Sequence, residues 1–262
     1  MPAILIYFGE KREIIPGFVN FKFTYLKAMN KYFFIILLLI ICAANVFAEE
    51  TFVFKDESKI YDVKARVENC DEEEEETICN SKAVFYLLKK NQPQVLQTIE
   101  MKESYLTISA KKEKKGDLTE LYGDRHGGVY FIDYNFDGIE DLAVSNGNYR
   151  PYGGVSYDVF LYSKAKGKFV RHDELSRLET EMVSTFIKTK LKIIETDTKS
   201  GCCRHEKTRY RFVNNRLQKF YVFTDDAMDP NGKWVTITTE RWVIGRWRST
   251  SSRVLIKKYY PD

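Results

Sequence analysis

The sequence predicts an all-β protein. Short β-branched and aromatic runs alternate with Gly, Asn and Asp turn signals along the chain, and aromatics are abundant, with 17 Tyr and 18 Phe. Such residues suit a pleated, half-buried surface. Helical stretches are few, with His172 to Ser184 the main candidate. Strands at short intervals, separated by turn signals, suit a sandwich, a barrel or a propeller.

The chain opens with a segment that does not belong to the fold. Lys27 and Lys31 precede an unbroken apolar run from Phe33 to Ala44, and Val46-Phe47-Ala48 offers a cleavage site before Glu49-Glu50. That run is short for a bilayer span and fits a signal peptide over 29–48. Met29 then reads as the true start, and 1–28 as an over-called start or extension. Leu39-Ile40-Ile41 before Cys42 lacks the small residue usual ahead of a lipidated cysteine. The remaining 49–262 is the length of one ordinary domain and carries 36 Lys/Arg against 35 Asp/Glu. The whole-chain charge of +4 therefore comes mostly from the leader, and a nucleic-acid partner is not expected. No stable membrane span is expected once the leader is removed.

Within 49–262, Thr51 to Phe54 opens the strands. Four cysteines remain, Cys70, Cys79, Cys202 and Cys203, and an even count in an exported chain suggests disulfides. A Cys70–Cys79 bond would close the acidic loop and leave Cys202 and Cys203 as a vicinal pair or as two thiols. The crossed pairings tie both to 70 and 79. Glu72 to Glu76 reads as solvated surface. Val84 to Leu88 is the next strand, followed by a break at Asn91-Gln92-Pro93 and by Val95-Leu96. Lys111 to Lys115 reads as a charged loop.

Gly128 to Ile132 and Leu142 to Ser145 are strand-like runs flanking the most informative segment, Asp133 to Leu142, which reads D-x-N-x-D-G-x-x-D-L. Oxygen-bearing side chains stand at positions 1, 3, 5 and 9: Asp133, Asn135, Asp137 and Asp141. A hard cation takes six to eight oxygens, and this alternation points them at one centre; the Ile139 carbonyl would supply position 7. Gly138 permits the sharp turn. A helix-loop-helix calcium hand needs Glu at position 12, where this chain has Val144. The expectation is a Ca2+ loop joining two strands.

Asn146 to Tyr157 follows directly, with three Gly, one Pro and three Tyr. Such a stretch should be exposed and shaped, and Tyr and Arg are frequent binding anchors. Tyr157 to Tyr162 turns at Lys166-Gly167 into Lys168 to Val170. The helix candidate has Asp173 or Ser176 as possible caps. Tyr210 to Val213 turns at Asn214-Asn215 into Leu217 to Val222, and Trp234 to Thr239 follows near the end.

Catalysis finds little support. His126, His172 and His205 are scattered, and no zinc-protease, nucleophile-elbow or phosphate-cradling motif is present. An enzyme is not expected.

The run Phe131-Ile132-Asp133 through Leu142, then Asn146-Gly147-Asn148, Pro151-Tyr152-Gly153-Gly154 and Ser156-Tyr157-Asp158-Val159, resembles bacterial exported proteins of a calcium-binding immunity and lysozyme-inhibitor family. That family was first described with xanthomonad type IV secretion systems. The resemblance covers 128–170; FG-GAP calcium loops of propellers share only the D-x-N-x-D-G-x-x-D-L core. The Cys202-Cys203 pair, the Glu72–Glu76 run and Trp234, Trp242 and Trp247 fall outside it. It implies a small single-domain β-propeller, with a β-sandwich as the alternative, in the periplasm or secreted. It implies calcium on Asp133, Asn135, Asp137 and Asp141, and a partner-binding loop at Tyr149, Arg150, Tyr152, Ser156 and Tyr157 that inserts into a peptidoglycan hydrolase. Arg150 would bond the carboxylates of a muramidase cleft. The rival expectation is a calcium-stabilised envelope module that binds glycan or a protein partner without inhibiting it.

Overall fold

The computed structural model describes residues 50–55, 57–72, 76–108, 111–115, 118–122 and 127–260. The leader segments 1–28 and 29–48, His126 and most of the Glu72–Glu76 run lie outside them. Residues 48–262 form one unit.

The first sheet holds β1 (Glu50–Lys55), β2 (Tyr61–Val67), β3 (Asp71–Glu72), β4 (Thr77–Lys89), β5 (Val95–Ile108), β6 (Lys111–Lys115) and β7 (Leu118–Tyr122). Its pairings are antiparallel except for β1 with β7. The second sheet holds β8 (Val129–Ile132), β9 (Asp141–Arg150), β10 (Gly154–Ser163) and β11 (Lys168–Arg171), in the order β11-β10-β9-β8. Helix α1 (Asp173–Glu181) follows. The third sheet is a six-stranded meander of β12 (Ser184–Lys188), β13 (Ile193–Ser200), β14 (Arg204–Val213), β15 (Arg216–Asp226), β16 (Trp234–Val243) and β17 (Arg246–Leu255).

The second sheet is the middle layer, and its sequence shows why. Successive strand residues point to opposite faces. Leu142, Val144 and Phe160 pack with Phe52, Phe54, Phe85 and Leu106 of the first sheet. Ala143, Val159 and Leu161 point the other way, onto Leu175 and Leu178 of α1 and Ile194 of β13. A strand buried on both faces has no polar alternation, hence the continuous runs Leu142-Ala143-Val144 and Val159-Phe160-Leu161. Gly128 is required at the junction of the first two layers, because a Cβ there would lie 2.6 Å from Leu106 and 3.0 Å from Phe54. Polar clips join the same layers. Ser145 Oγ donates to the Tyr105 carbonyl (2.8 Å) and accepts from the Tyr105 amide (2.9 Å). The Gln97 side-chain amide does the same with the Phe169 backbone.

The all-β expectation holds, but a propeller is not what is seen. The sheets have seven, four and six strands, and none closes among the described residues. Two-sided burial of the middle sheet stacks the layers, and the β-sandwich alternative fits. Three local expectations also change. Lys111–Lys115 is not a loop but an edge strand paired with β7, a position where lysine is well tolerated. The helix ends at Glu181, and Ser184 already starts β12. Its cap is neither Asp173 nor Ser176 but His172, whose Nδ1 accepts from the Leu175 amide at 3.3 Å. Ser176 Oγ instead donates to the His172 carbonyl and accepts from the Val159 amide, tying the helix to β10.

Both bonds of one cysteine pairing are present: Cys70–Cys79 and the vicinal Cys202–Cys203. The crossed pairings are not formed.

Candidate metal loop and partner-facing hairpin

The D-x-N-x-D-G loop joins β8 to β9, strand to strand. Its polar side chains organise its own backbone. The Asp137 amide donates to both Asp133 Oδ1 and Asn135 Oδ1 at 3.0 Å. The Gly138 amide donates to Asp133 Oδ2 (2.9 Å), and the Ile139 amide to Asp137 Oδ1 (2.9 Å). Phe136 (φ 62°) and Gly138 (φ 86°) take left-handed backbone, which folds the loop back toward Asp133. Oxygens from positions 1 and 3 thus meet at the Asp137 amide, while the position-5 carboxylate holds the Ile139 amide. The loop borders a cavity of ≈ 470 Å³ lined by Asn135, Asp137, Tyr162, Lys166 and His172 among others.

Asp141 behaves differently. It is fully buried, and its two oxygens accept from the Tyr134 amide (3.0 Å) and the Tyr162 amide (2.9 Å). Burial pushes its carboxyl up to about 7; the backbone donors work against that shift, and the Asp137 charge adds to it. The donor set is all oxygen and fits a hard cation by chemistry. Among the described residues, however, no three carboxylate, His or Cys side chains close on a single point.

The segment expected as an exposed loop is mostly a β-hairpin. β9 runs to Arg150, a 3-10 turn covers Pro151–Gly153, and β10 starts at Gly154. The ladder shifts register between Gly154 and Ser156 and again between Ser156 and Tyr157. These bulges sort the five expected partner residues into two groups. Tyr149 (54 % exposed) and Tyr152 (68 % exposed) face solvent. Tyr152 sits at the apex with φ 65°, and Lys199 Nζ of β13 lies 4.2 Å from its ring centroid.

Arg150, Ser156 and Tyr157, also expected to meet a partner, turn inward and are held by contacts within the chain. Arg150 is ion-paired with the buried Glu179 of α1, and its Nε donates to the Glu179 carbonyl at 2.8 Å. Ser156 Oγ donates to Asn146 Oδ1 (2.6 Å) and accepts from the Tyr149 amide (3.2 Å), so it shapes the hairpin from within. Tyr157 donates to the Gly127 carbonyl at 3.0 Å; burial pushes its hydroxyl far above the usual range and keeps it a donor. Glu179, which also accepts from the buried Tyr134 hydroxyl (3.4 Å), escapes sequence reasoning. It sits 29 residues from Arg150 in sequence, and no local signal links them.

The two described histidines do not converge. His172 caps α1, and His205 faces Asp225 on the third sheet at 3.3 Å. No helix among the described residues is long and apolar enough to cross a membrane.

No family model matches the chain. No curated protein matches it. A solved structure described as a Xanthomonas type IV secretion system related protein shares its fold, with a TM-score of 0.57 and 21 % identity over 79 % of this chain and 95 % of that one.

Proposed function

We propose that this chain is an exported, calcium-braced inhibitor of a peptidoglycan hydrolase, acting in the periplasm or outside the cell and catalysing nothing itself. The observation that carries the reading is the β9–β10 hairpin. It is held rigid from below by Ser156, Tyr157 and the Arg150–Glu179 pair, and it presents Tyr149 and Tyr152 to solvent. A pre-ordered aromatic tip loses little freedom on entering a cleft. The two disulfides fit an exported protein. The relation of the structural neighbour to type IV secretion supports the same setting.

Calcium would be held by Asp133, Asn135, Asp137, Asp141 and the Ile139 carbonyl. Bound there, it supplies the positive charge that offsets three neighbouring carboxylates. The residues themselves connect this loop to the hairpin, because Asp141 is the first residue of β9 and binds the Tyr162 amide of β10.

The test is affinity capture with the calcium-loaded protein as bait and envelope and secreted proteins as prey, followed by sacculus digestion by any hydrolase recovered. A hydrolase captured at one-to-one stoichiometry and silenced by the bait is the expected result. The Tyr149→Ala/Tyr152→Ala variant should then lose at least roughly thirtyfold in inhibition, the range of interface anchors. Full inhibition by that variant removes the hairpin from the interface. Binding to sacculi with no protein captured favours a glycan-binding module.

A further inference from the structure

The last hairpin carries chemistry that the reading above leaves unused. β16 and β17 are joined by the two-residue turn Ile244-Gly245, both in left-handed backbone (φ 48° and 75°). Such turns select Asn-Gly, and a β-branched residue at positive φ is strained. Ile244 is nevertheless 92 % exposed, the most exposed of the large apolar side chains among the described residues. An apolar group held in solvent, at a backbone cost, at the apex of a hairpin marks a functional tip.

The residues beside it sort by face. Arg241 pairs with Arg248 across the ladder, and Arg246 shares their face, two residues before Arg248. Trp242 pairs with Trp247 on the opposite face, edge to face with ring centroids 5.7 Å apart. The pairing of β15 with β16 stops at Tyr221↔Arg241, so from Trp242 to Trp247 the hairpin is paired only with itself, with Ile244 to Trp247 exposed and Trp242 and Val243 half-buried. No described carboxylate pairs with Arg241, Arg246 or Arg248; Arg241 only rests over the Tyr221 ring, at 5.8 Å.

We propose that this tip docks the protein on an anionic lipid surface. Back from the apolar apex come the Val243–Arg246 pair, the tryptophan pair and the Arg241–Arg248 pair, so an apolar point is followed by interfacial tryptophans flanked by arginines that can meet phosphate headgroups. Arginines close to the apex reach headgroups by extending along the strand axis. A rigid protein partner covers one face of a hairpin, whereas here the apex and both faces carry the binding chemistry. That calls for a medium that surrounds the tip. The proposal does not depend on calcium or on the β9–β10 hairpin.

The experiment compares the protein, expressed from its full sequence and purified in the form the cell retains, with its Ile244→Asn/Arg246→Ser/Arg248→Ser variant. Asn tolerates left-handed backbone, so the variant should fold with an unchanged or higher melting temperature. Each protein is spun with phosphatidylcholine vesicles, with vesicles that also contain phosphatidylglycerol, and with free tripolyphosphate while tryptophan emission is followed. Expected are sedimentation with the anionic vesicles, a blue shift, loss of both at high salt, and partitioning weaker by roughly a hundredfold or more in the variant. Equal sedimentation of the two proteins overturns the proposal, as does wild type that stays in solution with anionic vesicles. Binding of tripolyphosphate with no response to vesicles overturns it too, by assigning the arginines to a soluble anion.

Discussion

Two hairpins of this protein share one design and live in opposite surroundings. β9–β10 and β16–β17 are both built from ten-residue strands. Each places a large residue in left-handed backbone at its apex, followed by glycine: Tyr152-Gly153 (φ 65° and 74°) and Ile244-Gly245 (φ 48° and 75°). The first is rooted in the core. Leu142, Val144 and Phe160 are buried on one side, Ala143 and Val159 on the other, and only the apex emerges. The second is exposed almost throughout β17. An apex emerging from a packed root can present side chains in a fixed geometry, which suits a shaped protein cleft. An apex on a free ribbon presents them with latitude, which suits a fluid surface.

Two arginines separate the hairpins most strongly. Arg150→Ala strips the partner from the buried Glu179 and should destabilise the protein by ~3–5 kcal/mol, the usual result of orphaning a buried charge. Arg248→Ala, at the other hairpin, should fall within about 0.5 kcal/mol of wild type. Equal melting temperatures for the two variants would abolish the distinction between rooted and free hairpins.

Calcium removal sharpens it next. A cation held only by the folded loop stabilises by about 2.7 kcal/mol at a hundredfold excess over its dissociation constant. Chelation should lower the melting temperature and speed amide exchange along β9 and β10, through Asp141, while β16 and β17 keep their rates. Unchanged melting after chelation of metal-loaded protein counts against the site.

The smallest effect concerns the root of the third sheet. Burial by itself would push the Glu195 carboxyl up. Hydrogen bonds from Lys188 and Arg209, with the charges of Lys207 and Arg209, outweigh it and hold the group at about 2, against an ordinary 4.5. A depressed carboxyl stabilises the fold above its unfolded value, and that contribution is lost as pH falls from about 4.5 through about 2. Glu195→Gln should cost roughly 1–3 kcal/mol at neutral pH and flatten the acid dependence in that window. A variant with the wild-type acid limb would show that the cluster does not anchor the sheet.

Much of this is legible along the chain where the signal is local. The D-x-N-x-D-G loop reads as a strand-to-strand connection because β-branched and aromatic runs flank it on both sides. The Lys166-Gly167 and Asn214-Asn215 turns read correctly because the positive φ at Gly167, Asn214 and Asn215 selects Gly and Asn. β12, β13 and β17 escape because their runs mix Thr, Ser and charge, and only pairing with neighbours makes them strands. His172 escapes as a cap because imidazole is an unusual choice there. The tip of β16–β17 escapes because which residues face together depends on the ladder, and only the pairing shows that β15 leaves β16 at Tyr221↔Arg241.

What the sequence determines by itself is the β class, the oxygen spacing of the Asp133–Asp141 loop and the presence of a tyrosine- and glycine-rich segment after it. These depend on residue type and short-range spacing, which any chain displays. The tertiary structure alone decides that the layers stack as open sheets, that Asp141 turns inward, and that Arg150, Ser156 and Tyr157 brace the hairpin while Tyr149 and Tyr152 face out. Which way a side chain on a bulged strand points depends on what the opposite layer buries. Glu179 arrives from 29 residues away, and its desolvated charge holds Arg150 inside.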